Sequence, residues 1–155
     1  TSMKRTFRLS NFNQNISFWD TSSVTNMFRM FNKNNVFNQP IGVWNVSSAT
    51  DMRSMVSGDF NQYLGDWNIE SLSNLSSMFR NTSMSTANYT DSIVGWANYV
   101  FQNGLPHNVN ASGQIGVTYD NARSGGANFA DAGVARAFLI DATRNWIIDG
   151  DTIIN

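Results

Sequence analysis

The chain has no cysteine, a single histidine (His107), two prolines and a single glutamate (Glu70). Without cysteine, disulfides, thiol chemistry and Cys-ligated metals are excluded. One histidine removes any multi-His metal site. Charge is also scarce: 14% of residues are charged, against about 25% in an average domain. Ten Lys and Arg nearly balance eleven Asp and Glu. The chain as a whole therefore lacks the basic field that a dedicated nucleic-acid or acidic-lipid binder needs. No apolar run approaches the roughly 20 residues that span a bilayer. No nucleic-acid partner and no direct membrane insertion are expected. The chain begins at Thr1 without a start Met, so the lack of a visible targeting segment carries no information.

What is present is an apolar interior in an uncharged polar setting. At 155 residues the chain can bury a conventional core. Hydrophobic residues make up 41%, with five Trp and eleven Phe, while 22 Asn, 18 Ser and 11 Thr supply about a third of the sequence.

Internal repeats organise it. Phe12-Asn13-Gln14 returns as Phe37-Asn38-Gln39 and Phe60-Asn61-Gln62. In register behind each Phe come Ile16, Ile41 and Leu64; Trp19, Trp44 and Trp67; Met27, Met52 and Leu75; and Met30, Met55 and Met78. The copies are 12–36, 37–59 and 60–84. Met3 and Phe7 fit a partial copy over 1–11, whose earlier residues are missing, so the chain is expected to be a piece of a longer protein. Alternation around each Trp predicts a short strand. The spacing Val24, Met27, Met30, Phe31 predicts a helical turn capped by Thr25-Asn26, as by Thr50-Asp51 and Ser73-Asn74 in the next copies. A strand plus a helical turn per copy predicts a short, right-handed leucine-rich-repeat-like α/β solenoid with a parallel sheet. Stacked Asn13, Asn38 and Asn61, with the Gln beside each, are expected to satisfy backbone groups at the corners.

Beyond Met84 the rhythm stops. Residues 85–155 read as an α+β C-terminal capping module. It has a helix over Thr86–Phe101 with Tyr89, Ile93, Trp96 and Val100 on one side, and extended pieces between Val109 and Tyr119. A second helix follows over Asp131–Asn145 with Val134, Phe138 and Ile140 or Ala142 inward, then a strand at Trp146-Ile147-Ile148.

The string Phe-Asn-Gln-x-Ile-x-x-Trp-Asp/Asn, followed by Val-Thr-Asn-Met-x-x-Met-Phe, resembles the BspA-like leucine-rich-repeat surface proteins and the repeat of a Mycoplasma lipoprotein domain of unknown function. Ile93-Val94-Gly95-Trp96 and Trp146-Ile147-Ile148-Asp149-Gly150 are similar to that family's C-terminal module. The resemblance implies a secreted or cell-surface protein that binds something, with no catalytic residue set to carry over.

Alternate residues of the expected strands define a concave binding face. Phe18, Val43 and Asp66 form one column, Asp20, Asn45 and Asn68 the next, and Ser22, Ser47 and Glu70 the third. The alternative is a solvated face whose Asn and Asp only hold turns. The Met columns and the three repeat Trp read as core. His107 reads as a loop residue, since a Ser-His-Asp arrangement needs Ser112 or a distant Ser and an Asp to converge on it. Asp149-Gly150-Asp151, and Asp120-Asn121 with Asp131, offer oxygen ligands to Ca²⁺ but lack EF-hand spacing, so loop capping is favoured and no metal or cofactor is assigned. Lys4, Arg5 and Arg8 read as a small solvated basic cluster. Asn-x-Ser/Thr at Asn15, Asn45, Asn74, Asn81, Asn88 and Asn110 follows partly from the repeat.

The function expected is non-enzymatic recognition or adhesion at a cell surface, with a protein or glycan partner. The alternatives are a structural or receptor-binding domain of a virion and, less favoured, a carbohydrate-active enzyme.

Overall fold

The computed structural model describes residues 1–106, 108–114, 117–141 and 144–154. Where backbone N–H groups are used decides the fold of its first half. At each expected strand they bond within their own copy. Trp19 N–H donates to Ile16 O at 3.1 Å and Val24 N–H to Thr21 O at 2.9 Å. Trp44 and Ala49 repeat this onto Ile41 and Val46, and Trp67 and Leu72 onto Leu64 and Ile69. A donor closed into a local turn cannot join a ladder, so the Trp segments are turns, one of them a 3₁₀ turn over Ile41–Val43.

The bonds between copies lie where the helical turns were expected. Met27, Arg29 and Phe31 donate to the carbonyls of Asp51, Arg53 and Met55 at 2.8, 3.0 and 2.7 Å. Arg29 and Lys33 are left-handed, with φ of 56° and 58°, and Ser54, Ser77 and Asn81 follow in later copies. Left-handed residues at these intervals prevent a right-handed helix. Thr25-Asn26 and its counterparts still act as turn acceptors: Asn26, Asp51 and Asn74 Oδ1 accept from the N–H two residues on, at 2.9, 3.1 and 3.0 Å. Isolated parallel bridges run Ser2–Asn26–Asp51–Asn74–Asn110.

The expected leucine-rich-repeat-like solenoid with its continuous parallel sheet is thereby overturned. The architecture is a small α/β domain whose described residues hold two α-helices and two two-stranded parallel sheets. All of these regular elements lie in the segment expected as an α+β cap. They are α1 (Thr86–Asn103), β1 (Asn110–Ala111), β2 (Thr118–Asp120), α2 (Ala132–Ile140), β3 (Ile147–Ile148) and β4 (Thr152–Ile154). β1 pairs with β3 and β2 with β4.

The core follows the repeat columns. Met27, Met30, Met52, Met55 and Met78 are buried, as are Trp44 and Trp67, while Trp19 is half-buried. Phe31 and Phe37 stack with ring centroids 3.6 Å apart, and Phe37 and Phe60 at 6.2 Å. Trp44 Nε1 donates to Ile16 O at 3.0 Å and Trp67 Nε1 to Ile41 O at 3.1 Å. Trp96 of α1 continues the series, donating to Leu64 O at 2.9 Å.

The Asn and Gln columns form as their register requires. Asn13 Oδ1 accepts from Asn38 N–H and Gln39 Nε2, and Asn38 Oδ1 accepts from Asn61 N–H and Gln62 Nε2, all at 2.7 to 3.0 Å. Asn61 Oδ1 accepts from Ser85 N–H at 2.8 Å, which fixes the start of α1; Ser85 in turn caps the helix by accepting from Asn88 N–H at 3.2 Å.

The last third closes on this frame. Leu75 and Ser77 N–H donate to the carbonyls of Asn110 and Ser112. The buried Gln114 side chain accepts from Phe79 N–H and donates to Leu75 O and Ala111 O. α2 packs against α1 with Ala132, Ala135 and Leu139 buried. Val134 and Ile140, expected inward, are exposed, because the small Ala stripe faces the neighbour; Phe138 is half-buried and Ala142 lies outside the described residues.

Candidate functional site

A cleft of about 540 Å³ opens where the third copy meets α1. Two glycines bring its walls together. A Cβ on Gly95 of α1 would sit 2.5 Å from the Gly65 backbone, and one on Gly65 would sit 2.5 Å from the Tyr63 hydroxyl oxygen. A side chain at Gly95 would push the helix off the turn, and one at Gly65 would displace the Tyr63 ring. Tyr63 and Asp66 form one wall; Asp91, Asn98, Tyr99 and Gln102 come from α1; the loop at Ser124–Ala127 closes the end.

Hydrogen bonds preset this wall chemistry. Tyr63 donates its hydroxyl to Asp66 Oδ1 at 3.0 Å, and Tyr99 donates to Asn68 Oδ1 at 2.7 Å. Asp91 is paired with Arg123, whose Nη2 lies 2.8 Å from Asp91 Oδ2. Asn98 holds the loop by donating to Gly125 O at 3.0 Å and accepting from Asn128 N–H at 3.1 Å. Burial pushes the Tyr63 hydroxyl up to about 12, helped by the neighbouring Asp66 and Asp91 carboxylates. Burial and the Glu70 charge raise Tyr99 in the same direction. Both rings therefore stay neutral in ordinary buffers and present an apolar face with a polar tip.

The expected binding columns divide here. Phe18 and Val43 are 79% and 72% exposed and touch no cleft, whereas Asp66 of the same column lines it. Asp20, Asn45 and Asn68 hold turns: their Oδ1 atoms accept from the N–H of Ser22, Ser47 and Glu70 at 3.0 to 3.1 Å. Asn68 reaches the cleft only through Tyr99.

The oxygen-rich loops are likewise occupied. Asp131 caps α2 by accepting from Val134 N–H, and Asp120 accepts from Ala122 N–H. Asp149 accepts from Gly113 N–H, while Asp151 is paired with Arg136 at 2.9 Å. Among the described residues no group of three or more His, Cys, Asp or Glu is placed to hold a metal ion. His107 lies outside the described residues, and Ser112 donates to Asn110 Oδ1 at 2.7 Å. No helix among the described residues is long and apolar enough to cross a membrane.

Sequence reasoning missed Tyr63, Asp91, Asn98, Tyr99 and Gln102. A partial signal existed: positions 91, 95 and 98 form an i, i+4, i+7 stripe on the helix expected over 86–101, and 102 extends it in the longer α1. It lies on the side of the helix opposite Tyr89, Ile93, Trp96 and Val100 and carries Asp, Gly, Asn and Gln.

No curated protein and no solved structure matches the chain. A family model described as "Mycoplasma protein of unknown function, DUF285" matches residues 1–103 of the 155, and the chain belongs to that family.

Proposed function

We propose that the chain is a non-enzymatic recognition module of the BspA-like kind, acting outside the cell or at a surface, and that the cleft binds a neutral glycan segment. The carrying observation is the wall chemistry. Two neutral tyrosine rings stand beside the Asp66 carboxylate and the Asn98 and Gln102 amides. Apolar ring faces suit the C–H side of a sugar, while carboxylate and amide groups suit its hydroxyls. A few convergent polar groups in an open apolar cleft are the usual form of a ligand site. Both cleft carboxylates already have partners, Tyr63 for Asp66 and Arg123 for Asp91, which favours holding a ligand over transforming it. The Phe-Asn-Gln and Trp repeat supports the BspA-like kinship.

A glycan array with the parent chain and an Asp66→Ala/Gln102→Ala variant tests this. Both side chains are on the cleft wall and neither is in the buried core. The expected result is binding by the parent, at least tenfold weakened in the variant, with an unchanged thermal melt. Equal binding by both would remove the cleft from the reading. Turnover of a bound glycan would overturn its non-enzymatic part.

A further inference from the structure

The near-zero net charge hides a strong segregation. Residues 1–58 hold six cations against two carboxylates, a net of +4; residues 59–155 hold four cations against nine carboxylates. The fold gathers the cations further, because the left-handed positions of successive copies form one ridge. Arg5, Arg29, Ser54 and Ser77 share one position along it, and Leu9, Lys33, Gly58 and Asn81 share another. Bridged segments lie about 4.8 Å apart, so the ridge repeats at that interval.

Its centre is the Phe28 ring. Arg29 and Arg53 guanidinium carbons lie 4.8 and 4.9 Å from the ring centroid, the Lys4 ammonium 5.3 Å and the Arg5 guanidinium carbon 5.6 Å. Four cations from three neighbouring segments thus surround one ring. The ring quadrupole offsets part of their repulsion, and Asp51 neutralises one of them through its pair with Arg53. Arg29 Nε and Arg8 Nε are buried without a hydrogen-bond partner. Farther along lies a pocket of about 180 Å³. Lys33 and Arg80 line it together with Asn35, Ser54, Ser77 and Asn81, and no carboxylate is among its lining residues. It shares no lining residue with the cleft.

Cations at rung spacing, interleaved with Asn and Ser, fit a ligand carrying one anionic group per unit and hydroxyls between. We propose that this ridge binds an acidic polysaccharide, with one sulfated or uronic unit seated in the Lys33–Arg80 pocket. A single-stranded nucleic acid is less suited, because the Phe28 ring is already faced by guanidinium groups and is not free for base stacking. The site is separate from the cleft and does not depend on its ligand.

The test uses the whole chain and heparin as probe. The variant is Arg5→Asn/Lys33→Asn/Arg80→Gln; Asn tolerates the left-handed backbone of the first two positions, and a thermal melt checks that the fold is kept. The parent is expected to bind a heparin oligosaccharide with an affinity that falls steeply with salt, and the triple variant to bind at least tenfold more weakly. Asp66→Ala/Gln102→Ala is expected to bind heparin as the parent does. The proposal is overturned if the parent ignores heparin at low salt, or if the folded triple variant binds as well as the parent. Equal or tighter binding of a single-stranded oligonucleotide, or of phosphatidylserine vesicles, overturns it as well.

Discussion

At the scale of single residues, the chain's excess of asparagine is a backbone device. Asn15, Asn45, Asn74 and Asn110 each accept from the N–H two residues on, at 2.9 to 3.1 Å. In each case the donor is the Ser of an Asn-x-Ser triplet, so the glycosylation-like pattern at these sites is the signature of a side-chain-closed turn. The register of Asn13, Asn38 and Asn61 was legible from spacing alone, because a column needs only a fixed repeat. The ladder of acceptors it forms implies a specific result. Asn38→Ala removes the acceptor for Asn61 N–H and Gln62 Nε2 and is expected to cost about 1–2 kcal/mol in urea unfolding. Asn38→Asp keeps an acceptor oxygen there and should cost clearly less. Equal losses in both variants would show that the acceptor is not what matters.

At the scale of elements, helices were readable and the repeat backbone was not. α1 was visible because its apolar stripe has the helical period and Gly104 stands just beyond its end. The strands failed because period-two alternation over Ile16–Val24 is equally compatible with two successive tight turns that bury every third or second residue. Nothing in the side-chain pattern marks the left-handed positions, since Arg29, Lys33, Ser54 and Ser77 occupy them without being glycine. Gly58 is the exception and shows how tight the ridge is: its φ is +66°, and an added Cβ would sit 2.4 Å from Asn35 Cα. Gly58→Ala is therefore expected to destabilise by about 1–3 kcal/mol. Ser54→Gly, at φ 50°, should range from neutral to about 1 kcal/mol stabilising, as relief of left-handed strain is offset by the freedom of glycine in the unfolded chain. Denaturant melts of the two variants should therefore differ in sign or nearly so; comparable destabilisation by Ser54→Gly would contradict the strain argument. The cleft was half legible for a related reason. Asp66 stood out as an outward residue near a Trp, but its partners on α1 are an unremarkable polar stripe until Gly65 and Gly95 bring the helix against the turn.

At the scale of the whole molecule, the four tyrosines act together. Burial, with nearby carboxylates, raises Tyr63, Tyr89, Tyr99 and Tyr119 above their ordinary value. Tyr89 and Tyr119 are in the core; Tyr89 donates to Asp151, and the Tyr119 hydroxyl donates to Ala132 O. A phenol with a raised folded-state pKa binds its proton more tightly in the folded than in the unfolded chain. Below about pH 10 both states are protonated and stability does not depend on these groups. Above it the unfolded chain ionises first, so stability falls as pH rises. The melting temperature is expected to hold steady through neutral pH and drop sharply above about pH 10. A flat profile across that range would refute the burial argument for the tyrosines. Charge segregation is the other property of this scale. Total charge can be counted from the sequence, but the gathering of Lys4, Arg5, Arg29 and Arg53 around Phe28 needs the folded register.

The asparagine ladder also fixes how the protein ages. Deamidation converts a carboxamide into a carboxylate. One such event at Asn13, Asn38 or Asn61 leaves the acceptor oxygen and adds a single charge beside donors that welcome it. A second event on the adjacent rung, as at Asn13 and Asn38 or Asn38 and Asn61, sets two carboxylates about 4.8 Å apart, where like charges repel. Among stored molecules whose conversion gives normal aspartate, not backbone-altering isoaspartate, singly converted ones should keep the parent's melting temperature, and those converted on adjacent rungs should unfold before them.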